Sequence, residues 1–166
     1  MVRPVFPAYS HKGIQVLNLV SVGAVLAAVA LTAWGMGRLP DSVPSHFDAS
    51  GTPDDYRGKT FTWILPMASV VVYLGLTWLG RRPHRLNYPV TITPTNAKAQ
   101  YENAAWLIAW IKCLIAVSLA LLIYFQQRVG LGLTDGLPGW FLSATAGSVM
   151  AVSFLFIARS FQLENK

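Results

Sequence analysis

The sequence predicts an all-α membrane protein with four transmembrane helices and a structured extracytoplasmic loop between helices 1 and 2. Of the 166 residues, 54% are apolar and only 12% are charged, and the mean hydropathy is +0.45. Soluble domains usually carry about twice that charged fraction, because polar side chains must cover their water-facing surface. The apolar residues are also concentrated in four long stretches separated by polar segments. These observations exclude a disordered tail and a disulfide-stapled miniprotein, and they argue against a soluble enzyme.

Each of the four stretches is long enough to cross a hydrocarbon core of about 30 Å, which takes roughly 17 to 25 helical residues. The stretches are continuously apolar, so they lack the alternation of a membrane β-strand. The first is too long for a secretory signal core and is interpreted as an uncleaved anchor. We place the spans at residues 14–36, 61–79, 104–125 and 140–158 of a single polytopic domain, residues 1–166, with an outer loop at 37–60 and an inner loop at 80–103.

Lysine and arginine are divided unequally between the two faces that four spans define. Of the 13 basic residues, four lie on the face of the outer loop and one, Lys112, lies within a span. The other eight lie at the two termini and in the inner loop: Arg3, Lys12, Arg81, Arg82, Arg85, Lys98, Arg159 and Lys166. Cytoplasmic loops carry the excess of these residues, so both termini are predicted to be cytoplasmic in a multi-pass protein of the cell membrane. The net charge of +6 is therefore a topology signal, and no nucleic-acid partner is predicted.

The outer loop is the densest cluster of polar side chains in the chain. Pro40, Pro44 and Pro53 exclude a helix and favour extended backbone in the residues before them. Residues 48–51 have the composition of a turn, with a glycine available for positive φ. We therefore expect a compact, hairpin-like cap.

Five residues of this loop are candidate binding residues: His46, Phe47, Asp48, Asp54 and Asp55. Two interpretations are open. In the first, the imidazole and the carboxylates form a recognition surface or converge on a cation, although their spacing matches no standard metal site and no metal is predicted. In the second, His46 and Asp48 hydrogen-bond to backbone groups of the loop, while Arg57 and Lys59 pair with carboxylates.

The loop also carries a resemblance. Residues 39–54 read LPDSVPSHFDASGTPD, which resembles the signature loop of domain-of-unknown-function family sixteen-forty-eight, between that family's first two membrane helices. The runs at residues 87–90 and 93–96 are similar to the family's middle loop. The resemblance implies a bacterial or archaeal cell membrane. Members of the family include the N-terminal part of longer immunity proteins that protect against a sporulation-delaying peptide toxin, and the activity of the family is otherwise unassigned.

Lys112 is an ionisable residue inside the third span, which makes it a candidate functional group. It lies about 12 Å from the predicted inner end of that span by helical rise. Its aliphatic stem can therefore carry the ammonium towards the cytoplasm, with Asn18 or Ser118 as a polar partner. At the inner surface, Thr95 is predicted to cap the third helix.

The basic residues that follow the second span, Arg81, Arg82 and Arg85, are interpreted as an inner anchor. Anionic lipid headgroups attract such residues on the cytoplasmic side. A docking surface for a cytoplasmic partner is the other interpretation.

The chain lacks a nucleophile elbow, a phosphate-binding loop, a zinc-protease helix and a Cys-x-x-Cys pair, so neither an enzyme nor a cofactor is predicted. We expect a protein that acts by binding, immunity- or sensor-like, with the outer loop meeting an extracellular peptide. The alternative is an accessory subunit of a larger membrane complex, or a homodimer, that associates within the lipid bilayer. Small residues spaced by four, such as Gly147 and Ala151, would form such an interface.

Overall fold

The computed structural model describes residues 3–6 and 11–164, and it confirms the mostly helical fold with a structured loop. The helices are α1 (Lys12–Met36), α2 (Ile64–Gly80), α3 (Ala97–Gly130) and α4 (Phe141–Gln162). All four are long and apolar enough to cross a membrane, α2 together with the 3₁₀ helix Lys59–Trp63 that precedes it. Lys166, counted above with the inner face, lies outside the described residues.

An antiparallel hairpin lies between α1 and α2. Its strands are β1 (Ser42–Phe47) and β2 (Pro53–Gly58), and Ser42 pairs with Gly58 at the open end. The register shifts on both sides of His46, so β1 carries an irregularity there. We call the end of the bundle that carries this hairpin the outer end and the opposite end the inner end.

α3 is the central helix, because α1, α2 and α4 each pack against it. The buried residues of α1 recur every three or four positions, as on one face of a helix: Ile14, Leu17, Ser21, Val25, Ala28, Thr32 and Gly35. Ile14 and Leu17 meet Ala109 and Cys113 of α3 in an apolar cluster. The α1–α3 contact is thus the principal seam of the bundle.

α3 begins seven residues before the predicted span at 104–125, so the connection on the inner side is shorter than the predicted 80–103. The first turns of α3 are polar on the side that faces α4. The hydropathy of the sequence therefore does not mark these residues as part of a membrane-spanning helix. The capping role predicted for Thr95 is wrong. Its hydroxyl hydrogen-bonds to that of Thr93 over 2.8 Å, and Asn96 precedes the helix, with its side-chain oxygen accepting from the Thr93 N–H.

Three side-chain amides, two in the first turns of α3 and one at the residue before it, fasten α4 and the residues that follow it. The side chains of Asn96, Gln100 and Asn103 donate to the backbone carbonyls of Glu164, Ser160 and Phe156, over 3.0, 2.8 and 2.9 Å. The Ser160 hydroxyl returns a hydrogen bond of 2.6 Å to the Gln100 side-chain oxygen. We call this set the amide ladder. Within a bilayer hydrophobic burial does not drive helices together, so such hydrogen bonds are a main source of helix association.

Aromatic side chains mark both ends of the bundle. At the outer end the Arg38 guanidinium lies 4.3 Å from the centre of the Trp34 ring, and at the inner end that of Arg82 lies 4.4 Å from the Trp78 ring. This pairing of a cation with an amphipathic ring suits the headgroup level of a membrane. Of the predicted anchor residues, Arg81 directly follows α2, and Arg85 is exposed in the 3₁₀ helix Pro83–Arg85.

Candidate functional site

The base of the hairpin is fixed to the outer end of α3. Val43 and Pro44 are fully buried, and the Gln126 side-chain amide donates to the Pro44 carbonyl over 2.7 Å. Gly130 lies directly beneath, because a Cβ atom there would meet a Leu39 methyl at 2.9 Å. β1 is therefore held by packing and by a buried hydrogen bond.

The tip of the hairpin is closed by a turn that Asp48 organises. One carboxylate oxygen of Asp48 accepts from the Ser50 N–H, the Ser50 hydroxyl and the Thr52 N–H, over 2.8, 2.6 and 2.9 Å. Gly51 adopts φ +87°, which other residues rarely tolerate. Its carbonyl accepts from the Leu137 N–H over 2.8 Å, so the tip also docks on the loop between α3 and α4.

The outward side of the hairpin remains exposed and charged. The Nδ1 atom of His46 lies 2.6 Å from an Asp54 carboxylate oxygen, and both side chains are about half exposed or more, at 67% and 48%. Asp55 accepts from the Ser45 hydroxyl and from Arg57, over 2.6 and 3.2 Å. Tyr56, which is paired with Pro44 in the hairpin, is 54% exposed.

The five candidate residues therefore have separate positions. His46 and Asp54 form a pair, Asp55 belongs to a neighbouring pair, and Asp48 belongs to the turn. Phe47 is half-buried and borders a cavity of about 180 Å³ between β1 and the helices. Among the described residues, no group of three or more His, Cys, Asp or Glu side chains could hold a metal ion.

Most of these contacts agree with the second interpretation of the outer loop, in which its side chains bond to the backbone of the loop and its basic residues pair with its carboxylates. Asp48 binds backbone N–H groups, Arg57 pairs with Asp55, and the Lys59 ammonium lies 3.0 Å from an Asp41 carboxylate oxygen. The expectation that His46 bonds to the backbone is wrong, because the register shift in β1 brings its ring to the Asp54 carboxylate on β2.

Hydrogen bonds to two hairpin carboxylates stabilise their charged forms. The Ser50 hydroxyl and then the Thr52 N–H lower the pKa of Asp48 from its ordinary value. The Ser45 hydroxyl and then Arg57 lower the pKa of Asp55. Both groups are therefore negatively charged at neutral pH and below it, which gives the hairpin a fixed pattern of charge.

Lys112 of α3 lies away from the hairpin, where α3 faces α1 and α2. Its Nζ atom donates to the Thr77 hydroxyl over 3.0 Å and lies 4.9 Å from the centre of the Tyr73 ring. The predicted partners, Asn18 and Ser118, are therefore wrong. Both contacts come from α2. The spacing of polar residues in the sequence does not show that α2 approaches α3 at this point.

Sequence reasoning missed the residues that hold the hairpin in place. Gln126 hydrogen-bonds to the base of the hairpin. The tip of the hairpin packs against Gly136 and accepts a hydrogen bond from Leu137. Two signals were available. Gln126 and Gln127 are adjacent amides at the end of an apolar stretch. Gly136 is one of several glycines in the short loop between α3 and α4, residues 131–140, which is the second outer loop.

The segment that contains the hairpin is similar to a family of known proteins. Residues 23–70, from the middle of α1 through the hairpin to the early turns of α2, match the family model described as "Domain of unknown function (DUF1648)". An uncharacterized protein of Archaeoglobus fulgidus is similar at 25% identity over 118 residues, 66% of this chain and 63% of that relative. The chain thus spans less than two thirds of the length of the curated relative it matches. No solved structure gives a significant match. The resemblance seen in the sequence is therefore confirmed at residues 23–70, and the segment that matches the family model contains the whole hairpin.

Proposed function

We propose that this protein acts by binding and that the outer hairpin is a recognition element for an extracellular peptide, in an immunity- or sensor-like role. The observation that supports it is the contrast between the two sides of the hairpin. One side is anchored through Pro44 and Gly51, whereas His46, Asp54 and Tyr56 stay exposed on a backbone that contacts hold in place. A surface that is ordered before binding loses less conformational entropy when a ligand arrives.

The chemistry of β2 favours an extended peptide as the ligand. The sheet of the described residues has two strands, so the edge of β2 away from β1 has no strand beside it. Such an edge can accept an added strand through its backbone groups, while neighbouring side chains select the sequence. Asp54, Tyr56 and Arg57 offer both signs of charge and an aromatic ring for that selection.

The second candidate function is that of an accessory subunit, and α4 favours it. This helix packs mainly against α3 and leaves Met150 and Phe154 exposed by 71% and 72%. Gly147 has open space where a Cβ would stand, and with Ala151 it forms a small-residue pair that this chain does not cover. A helix of a partner protein, or of a second copy, could approach closely there.

One cross-linking experiment separates the two functions. A photoreactive phenylalanine analogue is placed singly at Tyr56, at Met150 or, as a control on the second outer loop, at exposed Leu133, in cells that express the protein at its native level. We expect a discrete peptide or protein adduct from position 56 and none from 133. The adduct should disappear when Asp54→Ala is added, because that change alters the exposed face without touching the anchors.

The other outcomes are equally informative. A discrete membrane-protein adduct from position 150 alone would favour the accessory-subunit function over recognition by the hairpin. Adducts from position 56 that persist with Asp54→Ala and also form from 133 would show unspecific proximity and contradict the proposal.

A further inference from the structure

A polar cavity lies near the inner end of the bundle, at the end opposite to the hairpin. It has a volume of about 250 Å³, is open on one side and is lined by residues of α1, α2 and α3 and by Arg81. Its polar lining comes from Asn18, Thr77, Arg81 and Lys112, and the rest is apolar. This cavity combines a polar interior with two basic side chains, whereas a groove of about 600 Å³ at the outer end is lined mainly by apolar side chains.

Lys112 is a buried cation without an acidic partner. It is only 4% exposed, and its one hydrogen bond in the described structure goes to the neutral Thr77 hydroxyl. All seven acidic residues of the chain lie in the described part, and none forms an ion pair with Lys112. An ammonium group has three donors, so this one retains capacity for a further acceptor. Buried charges in proteins are normally paired, and neither of the contacts of this ammonium, the Thr77 hydroxyl and the Tyr73 ring at 4.9 Å, carries a full negative charge.

Two other groups in the cavity suit an anion. The side-chain oxygen of Asn18 is buried without a hydrogen-bond partner. A half-turn of this amide exchanges its oxygen for the NH₂ group, which would place a donor at the position of the unpartnered oxygen. Arg81 is exposed and borders the same cavity. A guanidinium at its opening could hold two oxygens of a phosphate at once.

We infer that this cavity is a binding site for a phosphate group, with Lys112 as the buried cation, Arg81 as the cation at the opening and Asn18 as a donor between α1 and the anion. A free phosphate ion and the headgroup of an anionic phospholipid carry the same chemistry. The site is separate from the outer hairpin and does not depend on the function proposed for it.

The test uses the full-length protein in a neutral detergent, with inorganic phosphate as the probe at constant ionic strength maintained with chloride. Binding to the folded state should raise the midpoint of thermal unfolding, by about 3 °C once phosphate is well above its dissociation constant. Lys112→Met keeps the length of the side chain and removes its charge, and it should abolish the shift. Arg159→Gln removes an exposed basic residue of the inner end that does not line the cavity, and it should leave the shift unchanged.

A second arm identifies the source of the phosphate group. Native mass spectrometry of protein released from phosphatidylglycerol or phosphatidylcholine nanodiscs should show one retained phosphatidylglycerol, lost with Lys112→Met, if the ligand is a headgroup. A thermal shift with inorganic phosphate but no retained lipid identifies a soluble anion. Both outcomes support the site.

The inference is overturned if neither probe binds, or if Lys112→Met and the unaltered protein bind equally. It is also overturned if Arg159→Gln weakens binding as much as Lys112→Met does, because the effect would then be one of general surface charge. If Lys112→Met does not fold, the exposed change Arg81→Gln decides. A roughly tenfold loss of affinity supports the site, and an unchanged affinity contradicts it.

Discussion

Gly136→Ala is expected to release the tip of the hairpin from the second outer loop. A Cβ atom at residue 136 would stand 2.5 Å from the carbonyl oxygen and 3.3 Å from the carbonyl carbon of Gly51. Both atoms belong to the backbone, so no side chain can rotate away, and the two loops must separate. The hydrogen bond from the Leu137 N–H to the same oxygen would then lengthen or break.

The expected loss combines overpacking, of about 1–3 kcal/mol, with a hydrogen bond worth roughly 1 kcal/mol. Thermal unfolding in detergent measures the total, and hydrogen exchange at the Leu137 amide reports the local opening. Gly139→Ala is the matched control in the same loop, since a Cβ atom there would meet nothing within 4 Å. Equal stability of the two variants, with the Leu137 amide equally protected, would show that the tip does not dock as described.

Gln100→Leu is expected to loosen α4 from α3 at the inner end. The leucine keeps the approximate size of the side chain but removes the donor to the Ser160 carbonyl and the acceptor for the Ser160 hydroxyl. Gln100 is fully buried and Ser160 is 3% exposed, so water does not readily replace the lost bonds. The expected cost is about 1–2 kcal/mol, between the average for hydrogen bonds within membranes and the penalty for a buried unsatisfied group.

Hydrogen exchange should show this loosening as faster exchange through the last turns of α4, with α1 unchanged. Gln162→Leu makes the same chemical change at an exposed position of α4 and should leave both stability and exchange near those of the unaltered protein. If the two variants behave alike, the amide ladder does not hold α4, and packing alone accounts for the contact.

The features that follow from local chemistry could be predicted from the sequence. Four continuous apolar stretches and a loop with three prolines are sufficient to predict four helices and a hairpin. The turn at Asp48 and the glycine with positive φ follow from residue types that favour such a turn wherever they occur.

The features that depend on contacts between distant segments could not be predicted in the same way. Asn96, Gln100 and Asn103 have helical spacing. Only their approach to α4 reveals that they bind backbone carbonyls in its last turns and just beyond its end. The partner of Lys112 was missed for the same reason, because Thr77 is 35 residues away. His46 meets Asp54 because of a shift in strand register, which residue preferences do not encode.

The most direct test of the central claim is the side of the membrane on which the hairpin lies, because recognition of an extracellular peptide requires it to be outside. Tyr56→Cys and Asn87→Cys, each exposed and each in a Cys113→Ser background, are treated in intact cells with a membrane-impermeant maleimide. We predict that the cysteine at position 56 reacts in intact cells and that the one at position 87 reacts only after permeabilisation. Reaction at 87 with protection at 56 would place the hairpin in the cytoplasm and contradict the account.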